Sequence, residues 1–71
     1  MATNEQYESA AKNLAKEIRE SSDPVKKART MTYLGNLRYS QYITTKEPKA
    51  RKLAGNCYIA ARQLSFRTAS A

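Results

Sequence analysis

Residues 23–48 read DPVKKARTMTYLGNLRYSQYITTKEP, and whether they make one helix or two depends on the Gly35-Asn36 pair in their middle. Asp23-Pro24 opens the stretch as an N-cap followed by proline at the first helical position, where its missing N–H removes no bond. Glycine ends helices and asparagine caps the next one, so the pair is a candidate break. The apolar phase argues the other way. At about 100° per residue, Val25, Ala28, Met31, Thr32, Gly35, Tyr39, Tyr42 and Ile43 fall within about a third of the helix circumference. A break would shift that phase. The reading is therefore one continuous helix over 24–43, ending where the β-branched Ile43-Thr44-Thr45 run weakens it. If the pair does break it, a compact helix-turn-helix between residues 28 and 43 becomes an alternative.

The flanking segments read in the same way. Upstream, Thr3-Asn4-Glu5-Gln6 is a capping box, and Tyr7, Ala10, Ala11, Leu14 and Ile18 recur at helical spacing, which gives a first helix over 4–20. Downstream, Glu47-Pro48 repeats the acid-proline opening. Ala50, Leu53, Ala54, Cys57, Ala60, Ala61 and Leu64 then keep one phase through Gly55-Asn56, a third helix over 48–66. Residues 67–71 are expected to fray. The expected fold is all-α: a single domain forming a small three-helix bundle, with the second and third helices as an antiparallel hairpin.

At 71 residues the core is thin. So short a chain buries about 60% of its unfolded surface, and its stability is expected at ~3–5 kcal/mol. The one cysteine, Cys57, allows no internal disulfide, and its place on the core stripe predicts a buried, inert thiol. With no histidine the usual general base at neutral pH is missing, and one cysteine cannot build a structural zinc site. No phosphate-binding glycine loop occurs. These absences predict a non-enzymatic protein with no metal and no cofactor. The polar, acidic start lacks the basic and apolar regions of a secretory signal, and no apolar run approaches the ~20 residues of a membrane span. The expectation is a cytoplasmic protein with no membrane partner.

Charge is the strongest functional signal. Residues 1–23 carry Lys12, Lys16 and Arg19 against Glu5, Glu8, Glu17, Glu20 and Asp23, a net −2. Residues 24–71 carry ten cations against Glu47 alone, a net +9, and the whole chain is +7. Such a surface attracts polyanions. Lys26 and Lys27, and Lys49, Arg51 and Lys52, also crowd the starts of the second and third helices, where cations oppose the helix dipole. Two helix N-termini with free N–H groups and clustered cations are candidate anion sites. Lys26, Lys27, Arg29, Lys46, Lys49, Arg51, Lys52 and Arg62 are accordingly the expected contacts to the phosphate backbone of DNA or RNA.

A second set of residues is apolar but lies off the main stripes: Tyr33, Leu34 and Leu37 on the second helix, and Tyr58, Ile59 and Phe66 on the third. A bundle helix with two neighbours needs a wide apolar face, so packing accounts for part of this. The remainder reads as a partner or homodimer interface. Tyr39 and Tyr42 fall on the core face and read as packing residues, which leaves Tyr33 and Tyr58 as the exposed aromatic candidates for base stacking. The competing function is a small inhibitor or adaptor that docks on an acidic or nucleic-acid-binding protein through these flanks, with the cations as a steering rim. Phage and mobile-element proteins that block host machinery, anti-CRISPR proteins included, offer an analogy of type, not of residues.

Overall fold

The computed structural model describes residues 2–70, with side chains through residue 67, and no strand occurs among them. Three helices follow in order: α1 (Asn4–Glu20), α2 (Pro24–Thr45) and α3 (Pro48–Ser70). The chain is an all-α bundle with α2 at its centre. Helix α1 packs on one flank of α2 and α3 on another, while α1 and α3 do not pack on each other among the described residues.

The starts of α1 and α2 have local causes. The capping box at α1 is formed, with the Gln6 N–H donating to Thr3 Oγ1 at 3.2 Å and the Thr3 N–H to Gln6 Oε1 at 2.9 Å. At α2, the Val25 N–H donates to the Asp23 carboxylate at 3.0 Å, and Pro24 fills the first turn. Both glycine-asparagine pairs lie inside unbroken helix, so the helix-turn-helix alternative falls away.

Helices α2 and α3 run longer than their composition predicts. Thr44 and Thr45 remain helical because tertiary and local bonds hold them. Thr44 Oγ1 accepts from the Tyr7 hydroxyl of α1 at 3.2 Å, and Thr45 Oγ1 donates back to the Gln41 carbonyl at 2.8 Å. The helix stops at Lys46, which turns left-handed at φ 62° while its N–H closes on the Tyr42 carbonyl. Helix α3 continues to Ser70 where fraying was expected; Ala71 lies outside the described residues.

The α2–α3 hairpin is antiparallel. Tyr42 meets Arg51 near the turn, and Gly35 meets Tyr58 farther along. The seam is built of small side chains, since Ala50, Ala54, Cys57 and Ala61 on α3 face Ala28 and Gly35 on α2, and all but the half-buried Cys57 are buried. A β-carbon on Gly35 would stand 2.7 and 2.9 Å from two ring carbons of Tyr58, inside van der Waals contact. The ring is held there by its hydroxyl, which donates to Asn36 Oδ1 at 2.6 Å. The pair that looked like a helix break is instead the seat for one tyrosine.

The first flank of α2 is held differently. Gln41, 1% exposed, is the largest fully buried side chain. Its Nε2 donates to Asn4 Oδ1 at 3.2 Å and to Glu8 Oε2 at 3.0 Å, and its Oε1 accepts from Arg38 at 3.0 Å. Arg38 also donates to Glu8 in an ion pair. The Tyr7 hydroxyl reaches Ser40 at 3.1 Å as well as Thr44. No buried side-chain polar atom is left without a partner among the described residues. These contacts run from the start of α1 to the end of α2, so those two helices are antiparallel as well.

This polar attachment changes which residues form the core. Val25, Tyr39 and Ile43, on the apolar stripe expected to be buried, are 52%, 50% and 51% exposed. Thr32, on the same stripe, is exposed as well, because α1 bonds to Gln41 and Thr44 and the buried arc of α2 includes the polar Thr30 and Gln41 in place of these positions.

The two mid-helix glycines should respond oppositely to alanine. Gly55 has nothing within 4 Å of an added β-carbon. Gly55→Ala is expected to gain about 0.5–1 kcal/mol from helix propensity alone. Gly35→Ala carries the same gain but must displace the Tyr58 ring and its bond to Asn36, for a net loss of about 1 kcal/mol. Urea unfolding followed by circular dichroism separates the two; equal stabilisation would show that Tyr58 does not need the glycine.

Candidate nucleic-acid interface

The exposed residues of α2 fall in one stripe. Positions 25, 26, 29, 32, 33, 36, 39, 40 and 43 are exposed, at spacings of three and four, so a single arc of the helix faces solvent. Lys26, Arg29, Tyr33 and Asn36 lie on it. The Asn36–Tyr58 bond joins this arc to a flank of α3 on which Arg51, Tyr58 and Arg62 recur seven and four residues apart. The two arcs make one continuous surface of four cations and two tyrosines, and neither helix contributes a carboxylate to it.

Position along the hairpin follows from the antiparallel pairing. Arg62 stands near the level of Arg29, and Arg51 stands level with Tyr42, roughly 20 Å along at 1.5 Å per residue. Tyr33 and Tyr58 sit between these ends. Two of the arginines are already ordered on rings, Arg51 with its guanidinium carbon 5.9 Å from the Tyr42 centroid and Arg62 5.8 Å from that of Phe66. Stacking of this kind fixes the guanidinium plane while leaving its N–H edge open to an oxyanion.

The other four expected contacts go elsewhere. Lys27 shares a face with Met31, Leu34 and Arg38, the side of α2 turned toward Glu8. Lys49 also turns that way, since its charge helps keep the Glu8 carboxyl ionised. Lys46 is at the hairpin tip and Lys52 is on the outer face of α3. The apolar set divides too. Tyr33 and Tyr58 join the cationic surface, and Leu34 is half-buried beside Arg38. Leu37 lies four and seven residues before Gln41 and Thr44, on the side that α1 covers, so it belongs to internal packing. Ile59 and Phe66 are exposed on α3.

The N-terminus of α2 is not an open anion site. The Asp23 carboxylate already accepts its Val25 N–H, and Asp23 and Glu17 share the wall of a depression of about 410 Å³ with Lys26, Arg29, Thr30 and Tyr33. Acid from α1 shields little else. Among the described residues, Arg38 is the hairpin cation held in an ion pair, through Glu8, and the remaining pair, Lys16–Glu20 at 4.0 Å, lies within α1. In the sequence Asn36 signals only a helix break; its exposed amide, bonded to Tyr58, has no separate sequence signal. Cys57 is half-buried, and burial pushes its thiol above the ordinary value, away from the reactive thiolate. No group of three metal-ligating side chains occurs among the described residues, and no helix there is long and apolar enough to cross a membrane.

No family model, no curated protein and no solved structure matches this chain. Function must therefore be argued from the chemistry of the surface.

The Glu8 contact has a defined pH signature. Hydrogen bonds from Arg38 and Gln41 hold its carboxyl below the ordinary 4.5, outweighing the opposing effect of burial. A depressed folded-state value contributes stability that is present above pH 4.5 and lost as pH falls through and below it. Glu8→Gln should weaken the chain by about 1–3 kcal/mol at neutral pH, because Arg38 and the buried Gln41 lose a shared anionic acceptor. The variant should also show a smaller decline on acidification. Urea melts at neutral and acidic pH test this, and parallel pH profiles for the two proteins would exclude Glu8 as the titrating group.

Proposed function

We propose that this chain is a non-enzymatic nucleic-acid-binding protein that engages a single strand along the joined faces of α2 and α3. Lys26, Arg29, Arg51 and Arg62 contact phosphates, and Tyr33 stacks on a base. One observation carries the reading: the four cations and the exposed Tyr33 share one surface, and neither helix adds a carboxylate to it. Tyr58 holds the surface in shape through Gly35 and Asn36. Aromatic rings placed between cations suit an unpaired strand, whose bases are free to stack, better than a duplex, whose bases are closed. The arginines here are assigned to phosphates and Asn36 Oδ1 already accepts from Tyr58, so binding follows the backbone and tolerates sequence. The role is accessory or regulatory.

The test compares two triple variants of equal charge. Lys26/Arg29/Arg62→Ala removes cations from the joined face, and Lys27/Lys49/Lys52→Ala removes the same number elsewhere. Binding to labelled single-stranded DNA, single-stranded RNA and duplex DNA is followed by fluorescence polarisation from about 50 to 300 mM salt. Four phosphate contacts predict a log–log salt slope near −3 on a single strand, from about −0.7 per phosphate. The first triple should flatten that slope by roughly 2 and the second should leave it nearly unchanged. Tyr33→Ala should weaken single-strand binding by about 1–3 kcal/mol. Equal losses in the two triples would reduce the effect to generic charge and sink the assignment.

A further inference from the structure

The outer face of α3 carries a repeat that shares only Arg62 with the proposed strand contact. With Ala50, Ala54, Cys57 and Ala61 turned onto α2, the opposite side of the helix carries Lys52, Gly55, Ile59, Arg62 and Phe66. Their spacings are three, four, three and four residues, the repeat that keeps a seam facing a partner helix. Ile59 and Phe66 are 58% and 62% exposed, large side chains left on the surface of a chain whose buried hydrophobic side chains, among the described residues, are alanines. Gly35 has a reason to be glycine in the Tyr58 ring. Gly55 has none inside this chain, because the space around it is open. A mid-helix glycine costs helix stability, and one on an outward seam leaves room for another side chain to enter.

We propose that this face docks an acidic amphipathic helix of a partner protein, whose apolar side chains cover Ile59 and Phe66 and enter the gap at Gly55. Charge identifies the occupant. Helix α3 carries Lys49, Arg51, Lys52, Arg62 and Arg67 and no carboxylate, and Lys52 and Arg62 lie on the seam itself. A second copy of this chain would set those cations against their own kind on a molecule of net charge +7. Helix α1, the acidic part of this chain, has its apolar stripe committed to α2. A partner bearing carboxylates beside a leucine-type seam satisfies both the apolar and the charged positions.

The probe is a fluorescein-labelled three-heptad peptide with leucine at the seam positions and glutamate flanking them. Its control keeps every glutamate and replaces the leucines by serine. The chain should bind the leucine peptide at least about tenfold more tightly than the serine control, and Ile59→Ser should remove most of that preference. Gly55→Gln, whose side chain fills the gap without touching the α2 seam, should weaken peptide binding by about tenfold while circular dichroism reports an intact helix. Lys26/Arg29→Ala should leave peptide affinity unchanged, and Ile59→Ser should leave single-strand binding unchanged, so the two readings fail separately. Equal affinity for both peptides, or indifference to Ile59→Ser, would overturn the docking proposal. So would an Ile59-dependent dimer in sedimentation velocity, which would assign the face to a second copy.

Discussion

The Tyr58 ring lies against Gly35, and its hydroxyl is bound to the next residue, Asn36. This contact sets how closely α2 and α3 approach, and the rest of the hairpin follows from it. A seam of alanines gains little from burying large side chains, so its cohesion depends on short interhelical distance and dispersion over small surfaces. Any residue other than glycine at position 35 would displace the ring. The same contact joins the exposed arcs of the two helices, so the cations at either end belong to one surface.

The second attachment is of another kind. Helix α1 is held to α2 by a buried glutamine, an arginine, a glutamate and an asparagine whose bonding groups satisfy one another, with Tyr7 bridging to Ser40 and Thr44. Polar networks of this type contribute modest net energy but strong register, because a displaced helix leaves several buried groups unpaired. The N-terminal half of the acidic helix is thereby held at Arg38, while Glu17 farther along borders Lys26 and Arg29. The Glu8 carboxylate neutralises one cation and leaves the exposed arc of α2 charged. The charge imbalance between the two parts of the chain thus becomes a partial spatial separation, in which Glu17 and Asp23 border the Lys26–Arg29 end of the cationic surface and Glu8 holds Arg38.

Much of the helix plan was legible from local signals. The capping box at Thr3, the acid-proline openings at Asp23 and Glu47, and an apolar phase unbroken across Gly35-Asn36 and Gly55-Asn56 all act within one or two turns. The helix ends were less legible. Thr44 and Thr45 are poor helix formers kept in place by Tyr7 and by Gln41, and the stop at Lys46 uses a left-handed residue that is not glycine. The apolar stripe of α2 is a poor guide to burial, since Val25, Thr32, Tyr39 and Ile43 are exposed. On α2 the buried arc is partly polar, and no periodicity of apolar residues can show that.

By itself the sequence determined the helix starts, the continuity of the helices through their glycines and the excess of positive charge after Pro24. Each depends on neighbours along one chain segment or on composition. Only the tertiary structure decided which cations act together. Lys26 and Lys27 are adjacent in the chain yet face different sides, while Arg29 and Arg62, far apart in the chain, stand at one level of the same surface. Helical rotation separates neighbours by about 100°, and antiparallel pairing brings distant residues level. A surface site is therefore set by the packing angle of two helices, and here that angle depends on one tyrosine seated on one glycine.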